Sequence, residues 1–324
     1  MSSGTSIEGT RPRIAVVGPG AVGTLWAALL SRAGHEVLLV GRPGTRRLPA
    51  GGRIVVEGTA AGTYPVRSRV GLGGGPAPDL VILAVKSYDV EEASRSIASA
   101  IAPGRPVLLP QNGLGIEESA ARGAGPAGID PRWFVRAVHT IPSTWLGPGR
   151  VRYAGTGTLR LPPATGQSPG DEAAAAFERL FRSAGIPVDR PADFASALWS
   201  KAVVNAVINP LTALTGCPNG AIAGEELRAR AETLLREALA AAAAAGHPLD
   251  GGVARGALWA TVESTRENLS SMLQDLRDGR PTEIDAISGA LLDAGERHGL
   301  AMPETRRVVE EIRRRQGAGG RQRS

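Results

Sequence analysis

The stretch "RIAVVGPGAVGTLWAALLSR" (13–32) leaves the chain little choice of fold. Residues 13–18 form a short apolar run of the kind buried on both faces of a sheet. Gly18, Gly20 and Gly23 follow with G-x-G-x-x-G spacing, and Val22, Leu25, Trp26, Leu29 and Leu30 recur at helical intervals over 21–33. A strand that turns straight into a helix starts a βαβ unit, because the helix has to cover the sheet and the next strand then runs parallel. The pattern continues with strands over 35–42, 79–87 and 105–113 and a helix over 89–101. "RIVVEG" and "YPVRSRVGL" read as a hairpin excursion, and shorter segments at "WFVRAVHT", "RVRYAG" and "GTLRLP" are expected to extend the same sheet. The first part of the chain is therefore expected to be a doubly wound α/β domain.

After a Pro/Gly/Ser loop at 162–170 and one more helix and strand, the pattern changes near Arg190–Pro191. From there to about Arg315 almost every segment reads as helix, punctuated by "TGCPNG", "AGHPLDGG" and "RDGRP". The fold class expected is thus an α/β Rossmann-type domain followed by an all-helical C-terminal domain. The boundaries expected are a flexible N-terminus over 1–12, the first domain over 13–190, the helical domain over 191–315 and a disordered basic tail over 316–324.

Charge adds a caution. The formal net charge is +6, and the segment from Glu304 to Ser324 carries seven Arg against three Glu, so that end dominates the excess. No aromatic residue is interleaved there, which argues against a nucleic-acid partner. A single cysteine, Cys217, excludes an internal disulfide framework. No apolar run reaches membrane-spanning length, so no membrane partner is expected and the chain reads as cytoplasmic. His35, His139, His247 and His298 are scattered without ligand spacing, so no metal site is expected.

The glycine motif suits a dinucleotide. Gly18 permits the tight turn, Gly20 lets the backbone approach a pyrophosphate, and Gly23 allows close helix–strand packing. The N–H groups of Ala21, Val22 and Gly23, at the start of the helix, face the phosphates. Sites for NAD place a carboxylate at the end of the second strand, yet no acidic residue lies between Glu36 and Glu57. Arg42 stands there instead, followed by Arg46 and Arg47, and guanidinium groups suit a 2′-phosphate. The cofactor expected is NADP(H). Lys86 and Asn112 fall at carboxyl ends of strands, where ligands bind in open sheets; a solvated lysine and an Asn-Gly turn explain them equally well.

In the helical half, "ALWSKAVVNAVINPLTAL" (197–214) is apolar nearly all round except for Lys201, Asn205 and Asn209. On a helix, Asn205 sits roughly 40° and Asn209 roughly 80° from Lys201, making one polar stripe. Such a stripe in a buried helix faces partners, a cavity or a ligand, because unpaired buried polar groups are costly. A snorkelling lysine beside two satisfied asparagines is the plainer alternative. Farther along, Asn268 and Ser271 are three residues apart and are expected to share a helix face. Glu283 is expected to open the next helix, where it would also complement the helix dipole.

Taken in order, "GPGAVG" with a following Arg, "QNGLG", "WSKAVVNAVINPLTAL" and "NLSSMLQDLRDGRPTEID" resemble the ketopantoate reductase (2-dehydropantoate 2-reductase) family over 13 to about 315. The resemblance implies a site in a cleft between the two domains, and NADPH-dependent reduction of 2-dehydropantoate to pantoate on the way to pantothenate and coenzyme A. It implies that Lys201 and Glu283 are catalytic, and that Asn112, Asn205, Asn209, Asn268 and Ser271 line the substrate pocket. It also implies that Gly18, Gly20, Ala21, Val22, Gly23, Arg42, Lys86, Asn112 and Glu283 meet the cofactor. "HTIPSTWLGPG" departs from the family's pattern by lacking a small Gly-Ala pair after the histidine. A reductase of another 2-oxo acid is therefore one alternative, and a non-catalytic NADPH-sensing protein is another. The partner expected is a small-molecule 2-oxo acid, with a homodimer left open.

Overall fold

The computed structural model describes residues 12–125, 128–164, 166 and 168–320. The flexible N-terminus expected over 1–12 lies outside these residues but for its last. The chain divides into two compact units. One takes the described residues up to Gln111 together with Glu117–Ala192; the other takes Asn112–Ile116 and the described residues from Asp193 onward.

In the first unit, β1 (Arg13–Val17) leads through the glycine turn to α1 (Ala21–Arg32), followed by β2 (Glu36–Gly41). Then come β3 (Arg53–Gly58), β4 (Gly62–Pro65), β5 (Arg67–Val70), β6 (Leu80–Leu83), α2 (Val90–Ala98), β7 (Val107–Leu109) and α3 (Ile116–Ala124). The unit closes with β8 (Phe134–Arg136), β9 (Val138–His139), β10 (Ser143–Gly147), β11 (Arg150–Tyr153), β12 (Leu159–Arg160), α4 (Pro169–Ser183) and β13 (Val188–Asp189). Six strands form one sheet in the order β5-β2-β1-β6-β7-β8, and each neighbouring pair is parallel. Strand order reverses between β1 and β6, the switch point at which doubly wound sheets bind ligands.

Two expectations about strands are corrected. Only the start of "YPVRSRVGL" keeps to the expected hairpin: Tyr64 and Pro65 end β4, which pairs antiparallel with β3, whereas β5 joins the main sheet beside β2. Its "RSRV" sequence suits that edge, where charged side chains discourage further pairing. Nor do all the later short strands extend the main sheet. Only β8 does so; β10 and β11 form a second sheet in the order β10-β11-β3-β4, and β9, β12 and β13 make a third.

The second sheet explains why α1 is apolar all round. This helix packs against β1 and β2 on one side and against β3, β4, β10 and β11 on the other. Every residue from Gly23 to Leu30 is consequently buried. Trp26 is fully buried and meets the Phe181 ring edge-on at 4.9 Å and the His139 ring at 5.3 Å.

The second unit is helical. It is built from α5 (Phe194–Thr215), α6 (Glu225–Ala244), α7 (Gly251–Ser264), α8 (Ser271–Arg277), a π-turn at Asp285–Gly289, α9 (Ala290–Arg297) and α10 (Pro303–Gly320). The central element is α5, which packs against α6, α7, α8, α10 and the π-turn. Asp193 caps its start by accepting from the Ser196 N–H at 2.8 Å, and Gly216, with φ of 70°, ends it. The tail expected to be disordered from 316 is helical to Gly320, and residues 321–324 lie outside the described ones. Arg315 explains the extension: its guanidinium donates to the Leu214 carbonyl at 2.7 Å, while the Gln316 side chain accepts from the Thr282 N–H. No helix among the described residues is long and apolar enough to cross a membrane.

Candidate active site

The glycine motif sits at the switch point. Gly18, with φ of 107°, follows β1, and a Cβ there would lie 2.7 Å from the carbonyl oxygen of Ala84, just past β6. A Cβ on Gly23 would lie 2.1 Å from the Gly18 carbonyl oxygen, so these two glycines are required by backbone packing. Gly20 differs: nothing lies within 4 Å of a Cβ built on it, and no side chain caps the helix that starts after it. The first turn of α1, with Ala21 and Val22, thus opens onto space with its N-terminal dipole uncapped by any side chain.

Arg42 follows the end of β2, as expected, and is exposed. Its guanidinium lies 3.5 Å from the carboxylate of Asp89, in the turn after β6. Arg47 turns elsewhere, stacking over the Trp145 ring at 4.4 Å. Lys86 does not end a strand, because β6 stops at Leu83; it is half-buried and precedes the Ser87–Asp89 turn.

In the helical unit, Asn112 and Glu283 come together. The Asn112 Nδ2 donates to the Glu283 carboxylate at 3.1 Å, across 171 residues of sequence. The join is made by backbone: Leu114 N–H donates to the Ala286 carbonyl at 2.8 Å, and a Cβ on Gly113 would approach that same oxygen to 2.2 Å. "QNGLG" is therefore split. Gln111 stays with the sheet, its amide donating to the Leu83 and Val85 carbonyls, whereas Asn112 belongs to the helical unit. The single domain expected over 13–190 is corrected accordingly, and the next crossing falls between Ala192 and Asp193.

Glu283 is 5% exposed and stands just ahead of the π-turn rather than inside a regular helix. A π-turn inserts an extra residue into helical winding and recurs at functional sites. A carboxylate this deeply buried demands hydrogen-bonding partners, and Asn112 is one of them. The same π-turn packs on α5, where Lys201 and Asn205 are half-buried and Asn209 is 6% exposed, among buried Ala202, Val203, Ala206 and Val207. Pro210 within α5 has no N–H for the Ala206 carbonyl, which loosens the helix next to Asn209.

Asn268 and Ser271 do not share a helix face. Ser270 is the N-cap of α8, its Oγ accepting from the Leu273 N–H at 3.1 Å, so Asn268 lies before the helix. Both Asn268 and Ser271 are exposed, and it is Ser270 that reaches α5, with its Oγ 2.7 Å from the Thr212 hydroxyl. Two residues escaped the sequence reading. Gln111 had a signal, its place directly before Asn112; Asp89 had none, since its pairing with Arg42 exists only in three dimensions. Among the described residues no group of His, Cys, Asp and Glu is arranged to hold a metal.

Two family models cover these elements: "Ketopantoate reductase PanE/ApbA" over residues 14–166 and "Ketopantoate reductase PanE/ApbA C terminal" over 193–316. A curated 2-dehydropantoate 2-reductase of Escherichia coli O157:H7 is 31% identical over 312 residues, spanning 94% of this chain and 95% of its own. The chain belongs to the ketopantoate reductase family. A solved PanE/ApbA family ketopantoate reductase from Ralstonia eutropha JMP134 is 27% identical with a TM-score of 0.82, covering 95% of this chain and 99% of that one. A D-mandelate dehydrogenase solved with NADH and anilino(oxo)acetate superposes with a TM-score of 0.84 over 95% of this chain and 99% of that one; at 22% identity it shows the shared fold alone.

Proposed function

We propose that this chain is an NADPH-dependent 2-dehydropantoate 2-reductase, forming pantoate for pantothenate and coenzyme A. The observation that carries the reading is the bond between Asn112 and Glu283, which joins two separate family motifs in one part-buried polar pair. Family membership supports the same reading.

The residues of the first unit fit a dinucleotide. The open space over Gly20 leaves room for a diphosphate at the start of α1, and exposed Arg42, just past β2, would hold a 2′-phosphate. Lys86 is assigned to the cofactor as well. When bound, NADPH supplies a hydride to the carbonyl carbon of the 2-oxo acid. The chain then has to manage negative charge developing on the carbonyl oxygen. Lys201 is assigned as the donor that protonates this oxygen, with Asn205 and Asn209 orienting the carbonyl and carboxylate by neutral hydrogen bonds. Asn112 and Glu283 are assigned to the substrate's remaining polar groups and to the cofactor. The exposure of Asn268 and Ser271 suits contact with a ligand, and they retain that role in the proposal.

Loss of NADPH absorbance across a panel of 2-oxo acids tests the reaction. The highest kcat/KM is expected with 2-dehydropantoate. A tenfold preference for another acid would replace the substrate, and binding without turnover would make the chain a sensor. A small-molecule 2-oxo acid is the partner this reading requires; the homodimer is its finer part, checked by sedimentation velocity.

Two substitutions test the cofactor site. Gly20→Ala has room in the fold, so its melting temperature is expected to match the parent while NADPH binding weakens, because the methyl group occupies the diphosphate's approach. Unchanged NADPH titration would remove Gly20 from the site. Arg42→Ala is expected to raise KM for NADPH far more than for NADH, and equal use of both cofactors by the parent would refute the NADPH assignment.

A further inference from the structure

The partner of Arg42 carries a consequence for cofactor choice. Asp89 holds the N-cap position of α2, where an aspartate ordinarily accepts from the backbone N–H two or three residues on. Its side chain makes no such bond. The carboxylate points instead to Arg42, 3.5 Å from the guanidinium, and it is the more buried of the two, 31% exposed against 72%. Burial pushes the Asp89 carboxyl above its ordinary range, and Arg42 opposes that shift. The carboxylate therefore depends on Arg42 as its counter-ion. A carboxylate is also the group that NAD sites place near the ribose 2′-hydroxyl. Here β2 supplies none, and the turn after β6 delivers one to the same arginine.

We propose that Asp89 is a specificity-determining residue that limits the preference for NADPH over NADH. The inference rests on the NADPH reading above. A 2′-phosphate engaging Arg42 draws away the counter-ion of Asp89 and brings a second anion beside it. A 2′-hydroxyl does neither, and it can donate to the carboxylate. Arg42 and Asp89 thus pull the selection in opposite directions, and the chain keeps an NADH activity that Arg42 alone would suppress. Two like charges several ångströms apart at a half-screened surface correspond to about three- to thirtyfold in relative affinity.

The test measures the dissociation constants of NADPH and of NADH by fluorescence titration, beside kcat/KM for each, in the full chain, in Asp89→Asn, in Asp89→Ser and in Arg42→Ala. The ratio of preference for NADPH over NADH within one preparation is independent of how much protein is folded. In both Asp89 variants it is expected to rise by about three- to thirtyfold, and the gain is expected to shrink at high salt as screening grows. A ratio that stays level or falls in both, while Arg42→Ala lowers it, would overturn the inference and leave Asp89 as a residue that merely orients Arg42. A ratio untouched by Arg42→Ala would instead overturn the NADPH reading on which the inference stands.

Discussion

Lys201→Ala is expected to lower kcat by about 10²–10⁴-fold, the usual scale for a positioned acid, while NADPH affinity stays close to that of the parent. The expectation comes from where the lysine sits. It lies half-buried on α5 in line with Asn205 and Asn209, with buried apolar residues between them. The residues assigned to the cofactor's phosphates belong to a different unit, so their geometry does not depend on this side chain. A lysine of purely structural value predicts something else: near-normal turnover, or a folding defect that weakens both ligands together. Fluorescence titration of NADPH beside steady-state rates separates these outcomes. A folded, cofactor-binding variant with close to full activity would take Lys201 out of the mechanism.

Glu283→Gln is expected to cost about ten- to hundredfold in kcat/KM, the scale of a lost hydrogen bond to a charged group. The glutamine keeps the shape and one acceptor oxygen, so it can still receive the Asn112 amide. It cannot supply the charge. Because the parent carboxylate is 5% exposed, removing that charge relieves a desolvation cost, and the melting temperature is expected to hold or move only slightly. Normal turnover with a fallen melting temperature would mean that Glu283 serves the helix start alone. Calorimetry and initial rates on one preparation decide between the two.

What was legible in the sequence follows from range. Strand β1, the glycine turn and α1 are contiguous, and each reports its own environment through period and glycine spacing, so this corner could be read directly. The polar stripe of α5 was legible for the same reason: one helix carries all of it. Strand partners were not. Strand β11 is short and pairs with β3, nearly a hundred residues earlier, β10 adds to its other edge, and nothing local distinguishes that sheet from the main one. Consecutive serines hid the start of α8. Either Ser270 or Ser271 could cap, and choosing the first moves Asn268 off the helix. Asp89 was invisible because its pairing with Arg42 joins two separate turns and exists only in the fold.

The passage of Asn112–Ile116 into the helical unit bears on how the protein is made. This pentapeptide leaves the ribosome soon after β7, but its backbone partner Ala286 emerges about 170 residues later. At about 5–20 residues per second, the wait is on the order of 10–30 s. During that interval the Gly113 turn has no surface to lie against, and the sheet it interrupts can form on either side of it. Synthesis thus leaves a loop open in an otherwise sealed first half, and the loop is fastened only when the π-turn arrives. A fragment beginning at Asp193 would carry Glu283 without Asn112, so a split version of this chain should regain the pair only when both pieces are supplied together.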